Sequence, residues 1–128
     1  MSSLFYIPTM NKLFVLILMS FNAYLAQNGY ALFSSCQHVK YLQNQVIDTQ
    51  TTAFEAGYCL GVIYGVYATL TKVDIQKHIC LPILGVSNQE KVGLVLSHLK
   101  NNSQHLEKED IVLIMDAFQT AFPCKNNH

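Results

Sequence analysis

The sequence predicts an all-α fold, a small disulfide-linked bundle of about four helices after a signal peptide. Three observations predict it. Apolar residues recur at helical spacing in four segments, no segment shows the strict alternation of a half-buried strand, and four cysteines lie beyond an N-terminal apolar run. A chain of 128 residues suits one domain of roughly 100 to 150 residues. We therefore expect a single core.

The composition excludes two broad classes of protein. Hydrophobic residues make up 51% of the chain and charged residues only 12%, so the chain has enough apolar surface to offset the entropy lost on folding. Eight lysines and no arginine face eight acidic residues. Without a basic patch or guanidinium groups for phosphates, nucleic-acid binding has little support. We expect an ordered protein with no nucleic-acid partner.

The N-terminal residues have the pattern of a secretory signal. Lys12 precedes the apolar run Leu13–Met19, and a small-x-small site follows at Gly29-Tyr30-Ala31. We predict a signal peptide over residues 1–31 and a folded domain over residues 32–128, with no membrane association after cleavage. Cleavage after Ala26 is a weaker alternative, because Tyr24 would stand where a small residue is preferred. An uncleaved anchor is disfavoured, since the run is shorter than the ~20 residues of a span.

All four cysteines lie in the predicted mature part, and an even set in a small exported chain is typical of disulfides. Three pairings are open, and the sequence does not choose among them. Our prediction joins Cys59 to Cys80, which would tie a helix to the loop that follows it. It joins Cys36 to Cys124, which would clip the chain ends.

Four helices are predicted from periodicity and capping residues. The first runs from Cys36 to about Val46, and the second from Ala53 to Leu70. The third opens at Ser87, which forms a capping box with Glu90, and stops near Lys100. The fourth begins around Ser103 or a few residues later and ends before Phe122-Pro123-Cys124.

Glycine recurs on one face of the second predicted helix, at Gly57, Gly61 and Gly65. Each glycine costs roughly 1 kcal/mol of helix propensity, so we predict that a neighbouring helix packs closely against this stripe. A membrane span is the alternative for this segment. Glu55 and several tyrosines within the run make a poor lipid-facing surface, which favours a soluble core helix.

The residues that usually carry chemistry do not assemble into a known motif. There is no G-x-S-x-G elbow, and the histidines stand singly. Cys36 with His38, or Cys80 with His78, suggests a thiolate site, but a free thiol would have to resist pairing in an oxidising compartment. Glu55 is the best candidate for a shifted pKa, although a carboxylate reaching solvent or a cap is the simpler interpretation. Paired metal-ligand spacing is missing. We expect no enzyme, metal or cofactor.

Four stretches of the sequence form one recognisable set: Phe54–Gly65, Ile79–Pro82, Val86–Gln89 and Ala117–Cys124. Together they resemble the type VI amidase immunity family, also called resistance-associated proteins. The resemblance covers about residues 36–124, and four pieces in register carry more weight than a single motif. This chain departs from the family pattern at Asn102-Ser103, where many members read His-Pro, and at Phe118, where leucine is usual.

The resemblance implies an all-helical periplasmic protein, exported by a cleaved signal peptide, without catalytic activity. Such a protein would bind and inhibit a type VI secretion effector, a peptidoglycan amidase, and so protect its producer and its kin. Homodimers are also implied by analogy. A rigid inhibitor needs a loop that enters the partner's cleft. We predict the loop from Lys100 to His105 for this role, and the connector from Ile83 to Asn88 as second choice. The five residues predicted to bind the partner are Asn101, Asn102, Ser103, Gln104 and His105.

Two other functions stay open at this point. A periplasmic helical chaperone or stress protein would bind many clients weakly, and the low number of charges argues against it. A small secreted enzyme or metal carrier would use the cysteines and histidines. Free thiols or bound metal in the purified protein would distinguish that class.

Overall fold

In the computed structural model, the described residues are 27–43, 50–73 and 78–125, with the side chains of 40–43 and 51 excepted. These residues form four α-helices and one 3-10 turn, and the only β pairings among them are two isolated bridges. The all-α prediction is confirmed. The helices are α1 (Gly29–Gln43), α2 (Gln50–Leu70), α3 (Asn88–Asn101) and α4 (Asp110–Ala121), and the 3-10 turn is Ser103–His105.

The start of α3 follows the predicted capping signal. Ser87 has an extended backbone, and its Oγ accepts from the backbone N–H of Glu90 at 3.2 Å. The helix ends at Asn102, whose backbone N–H and side-chain amide both donate to the carbonyl of His98, at 3.0 and 2.8 Å. Both predicted ends are therefore confirmed.

The last helix does not begin at Ser103, the earliest predicted position. The segment before it forms backbone hydrogen bonds with the residues at the start of α1 and just before it. The backbone N–H of Gly29 donates to the carbonyl of Lys108 at 3.0 Å, and that of Asp110 reaches the carbonyl of Gln27 at 3.4 Å. These hydrogen bonds use backbone groups that a longer helix would need internally. The α-helix starts only at Asp110.

One hydrophobic core holds the four helices together. Each helix contacts every other, and α1 packs most extensively against α2. Phe118 is fully buried and meets the ring of Tyr67 edge-on, with centroids 5.4 Å apart. The phenylalanine at the family's usual leucine position is thus accommodated in the core. The Nζ of Lys91 lies 4.1 Å from the Tyr67 ring centroid and covers this pair from outside.

The predicted disulfide pairing is wrong. Cys36 is bonded to Cys59, with Cα atoms 5.1 Å apart, and Cys80 to Cys124, with Cα atoms 4.9 Å apart. The first bond joins α1 to α2, and the second joins the α2–α3 connector to the residues after α4. The physical reason is that α1 and α2 lie side by side, so Cys36 and Cys59 are both fully buried in one interface. The loop-entropy estimate gives about 3 and about 4 kcal/mol of stabilisation.

The predicted role of the glycine stripe is also wrong. Gly57, Gly61 and Gly65 are exposed, and a Cβ added at any of them would meet nothing within 4 Å. The face of α2 that packs inward carries Ala56, Cys59 and Ile63 instead, each with no exposed area. The stripe faces away from the bundle because the apolar residues that fill the core lie one position before or two positions after each glycine.

Within the described residues, Thr52–Leu70 is long and apolar enough, by length and composition alone, to cross a membrane. Its inner face is nevertheless part of the bundle core, and Cys59 ties it to α1. The core helix of a bundle passes the same composition test, and 28% of this span is buried inside the protein.

A close backbone approach occurs at Gly29, the first residue of α1, which was predicted to belong to the signal peptide. A Cβ there would lie 2.9 Å from both the Cα and the carbonyl oxygen of Leu106. Ala31, the predicted last residue of the signal peptide, lies inside α1, and the next residue, Leu32, is fully buried. Residues 1–26 lie outside the described part, and cleavage stays a prediction.

Candidate functional site

The predicted partner-binding residues lie together at the junction of α3 and the 3-10 turn. Asn101 ends α3, Asn102 caps it, and Ser103 to His105 form the 3-10 turn. All are exposed except Asn102, which is half-buried because its side chain folds back on the helix. The structure therefore presents a compact polar corner, and no contact on it identifies a partner.

The charge on this corner is small and solvent-exposed. The Nδ1 of His105 lies 3.9 Å from the Glu107 Oε1, and the two side chains are 48% and 63% exposed. Such a pair contributes little, and only when the histidine is protonated. The corner adjoins a shallow depression, lined among others by Lys108, Asp116 and Thr120. A polar partner surface would suit it.

The second predicted binding segment, the connector from Ile83 to Asn88, is apolar at its tip. Ile83 and Leu84 are fully exposed, at 103% and 100% of their reference areas. They occupy the centre of a turn in which the Gly85 N–H donates to the Pro82 carbonyl at 2.9 Å. Gly85 has a φ of 76°, a left-handed conformation that favours glycine. The two neighbouring side chains form one contiguous apolar patch on the surface.

A groove runs beside the exposed glycines of α2, and we call it the α2 groove. It has a volume of about 430 Å³. The absence of side chains at Gly61 and Gly65 opens it, and Ile111 and Met115 of α4 form part of its other wall. Its remaining lining residues are Gln27, Val62, Val66, Thr69, Leu70 and Asp110.

A polar pair of buried Asp110 and half-buried Tyr58 links α2 to the start of α4. The Tyr58 hydroxyl donates to Asp110 Oδ2 at 2.5 Å, and Asp110 Oδ1 accepts from the Ile111 N–H at 2.7 Å. Asp110 is 3% exposed and stands in the first turn of α4, where a negative charge is favourable. Burial first, and then the hydrogen bond and charge of Asp110, raise the pKa of the Tyr58 phenol well above its ordinary value of 10. The pair fixes how the two helices meet.

Glu55, the sequence's candidate for an unusual carboxylate, has a structural contact. Its Oε2 accepts a hydrogen bond from the Oγ of Ser35 at 2.5 Å, and Ser35 is 5% exposed. This bond crosses from α1 to α2 near the Cys36–Cys59 disulfide. The Glu55 carboxylate therefore links α2 to α1.

The thiolate hypotheses do not survive, because all four cysteines are disulfide-bonded and neither Cys36 nor Cys80 offers a free thiol. Across residues 27–43, 50–73 and 78–125, no three His, Cys, Asp or Glu side chains converge on a point where a metal ion could sit.

The connector that carries the exposed pair is the second choice predicted for partner binding. A local signal in the sequence nevertheless marks this pair. Pro82 and Gly85 enclose the two apolar residues at turn spacing, and the central residues of a turn point away from the chain on either side. Reading that spacing as a turn, rather than as part of a longer connector, would have placed Ile83 and Leu84 at a tip.

The family model described as Rap1a immunity proteins matches residues 28–124. A search of curated proteins and a search of solved structures each found no significant match. The matched range includes all four helices and both disulfides.

Proposed function

The chain belongs to the Rap1a immunity protein family, a family of type VI secretion immunity proteins, and from this membership we propose that it binds and inhibits a peptidoglycan amidase effector. Inhibition would protect the producing cell and its kin. The observation that carries the proposal is the extent of the match, which spans the entire helical bundle. The amidase as target rests on the sequence resemblance given above.

The structure supports a binding role through its rigidity. Two disulfides and two cross-helix hydrogen bonds stabilise one arrangement of the described helices. The hydrogen bonds are those from Ser35 to Glu55 and from Tyr58 to Asp110. A surface held rigid before binding loses less conformational entropy when the complex forms. We propose no catalytic step for this protein.

We propose that the protein acts in the periplasm, where a peptidoglycan amidase would meet its substrate. The apolar run Leu13–Met19 after Lys12 supports export. The contacts of Gly29 with Leu106 and Lys108 support cleavage after Ala26, because cleavage after Ala31 would remove them. Mass spectrometry of the protein purified from the periplasm would give its first residue.

The proposed function is tested with the product of the gene next to this one as the probe. That product is directed to the periplasm of a susceptible host, with and without this protein. We expect lysis without the protein, survival with it, and a complex of defined stoichiometry by titration calorimetry. Lysis that persists despite expression of the protein in the periplasm would contradict an immunity role.

The amidase assignment needs a separate measurement. The purified probe is incubated with peptidoglycan, and newly released amino groups are counted with and without an equimolar amount of this protein. We expect release that the protein suppresses. A probe that is neutralised but cuts glycan strands or lipids would contradict the amidase target and leave the immunity role intact.

A further inference from the structure

Two of the large apolar side chains described stand entirely in water, and they are neighbours. Ile83 and Leu84 are 103% and 100% exposed, whereas Phe54, the next most exposed, is at 78%. Both belong to the turn from Pro82 to Gly85, which we call the apolar turn. Leaving two such side chains in water has no benefit for the fold, since neither contributes to the core.

The apolar turn is held firmly at its base. The Cys80–Cys124 disulfide joins its N-terminal side to the end of the chain, and the Cys80 N–H donates to the Phe122 carbonyl at 2.9 Å. On its C-terminal side Val86 is buried, and the helix α3 follows. The tip is therefore fixed in space rather than free to fold back onto the bundle, as an element preorganised for contact should be.

Within the described residues, the turn and the cavity beside it carry no charged side chain. From Ile79 to Gln89 the sequence has no acidic or basic residue. A cavity of about 430 Å³ lies against the turn, and its lining residues are uncharged as well. They are Leu70, Thr71, Ile79, Cys80, Leu81, Pro82 and Ile83. A partner surface that fits here must be uncharged, since a charged group would lose water without gaining an opposite charge, and the exposed Ile83 and Leu84 side chains add an apolar contact.

We propose that the apolar turn inserts Ile83 and Leu84 into an uncharged apolar pocket on the effector, and that this contact is the main anchor of the complex. The inference rests on the proposed function. It places the anchor at the connector between α2 and α3, whereas the polar corner at Asn101–His105 lies on the opposite end of α3. Since α3 separates the two segments, their contributions are separable by mutation.

The experiment compares two double variants in binding the product of the neighbouring gene. Ile83→Ala/Leu84→Ala removes the anchor. Phe54→Ala/Val73→Ala is the control, because it truncates two other exposed apolar side chains, 78% and 46% exposed, and neither lines a groove or cavity named above. We expect the first variant to bind at least about 30-fold more weakly and the control within about threefold of the wild type. Thermal unfolding checks that both variants are folded.

A photo-crosslinking residue at position 84 supplies an independent readout, and we expect it to join the probe. A loss of less than tenfold in the Ile83→Ala/Leu84→Ala variant overturns the inference while the proposed function stands. A crosslink to a second copy of this chain also overturns the inference. So does binding to phosphatidylglycerol vesicles that depends on the apolar turn, if the affinity for the effector does not depend on it. A wild-type protein that fails to bind the probe overturns both proposals.

Discussion

Replacing Gly29 by alanine should destabilise the protein through a single atom. The added Cβ would lie 2.5 Å from the Leu113 Cδ1 and 2.9 Å from the Cα and the carbonyl oxygen of Leu106. The leucine side-chain end can rotate away. The Leu106 backbone cannot, because the Lys108 N–H donates to the His105 carbonyl at 3.1 Å and the Gly29 N–H donates to the Lys108 carbonyl at 3.0 Å. Relief of the clash therefore requires α1 to move.

Overpacking of this kind costs about 1–3 kcal/mol, and we expect about 2 kcal/mol for Gly29→Ala. The matched control is Gly61→Ala, at an exposed helical position where a Cβ meets nothing. Alanine there should stabilise by about 1 kcal/mol through helix propensity alone. The two identical substitutions should thus change stability in opposite directions.

The assay is thermal unfolding of both variants and the wild type, each purified from the periplasm with its disulfides formed. We expect Tm to fall by roughly 8 to 16 °C for Gly29→Ala and to rise by roughly 4 to 8 °C for Gly61→Ala. Mass spectrometry establishes that Gly29 is retained in the purified protein. A Gly29→Ala protein that melts at or above the wild-type temperature would refute the close-contact reasoning.

Two further predictions concern the polar pair and the second disulfide. The raised pKa of Tyr58 means that the folded state holds its proton more tightly, so this stability is present below about pH 10 and is lost as pH rises further. Urea unfolding across that range should show a smaller pH slope in Tyr58→Phe than in the wild type or in Tyr30→Phe, an exposed control; an unchanged slope contradicts the assignment. Removing the Cys80–Cys124 bond by double alanine substitution should lower the free energy of unfolding by about 4 kcal/mol. Non-reducing peptide mapping that links Cys80 to any other cysteine contradicts the pairing.

The helices were predictable where a local signal marks them. Ser87 and Glu90 have the spacing of a cap, and the structure forms that contact at 3.2 Å. The start of α1 was not predictable from the sequence. Nothing near Gly29 marks a helix start, and a residue this small suits a cleavage site equally well. Its true role depends on Leu106, far along the chain, which no local pattern reveals.

The glycine stripe is a second feature whose surroundings the sequence did not predict. A spacing of four residues places Gly57, Gly61 and Gly65 on one face of a helix, and that much is correct. Whether the face points inward depends on the competing face, where Ala56, Cys59 and Ile63 are fully buried. Periodicity defines a face but does not choose between two faces that both lack charge. The predicted disulfide pairing was wrong for the same reason. The true pairing depends on which helices are neighbours, and periodicity does not give this.

The order of the disulfides along the chain has a consequence for biogenesis. The first cysteine is bonded to the second, Cys36 to Cys59, and the third to the fourth, Cys80 to Cys124, so neither covalent loop encloses or crosses the other. If the chain is exported N-terminus first into an oxidising compartment, as proposed above, the first loop can close before the second half emerges. Oxidation in order of emergence would then yield the native bonds directly.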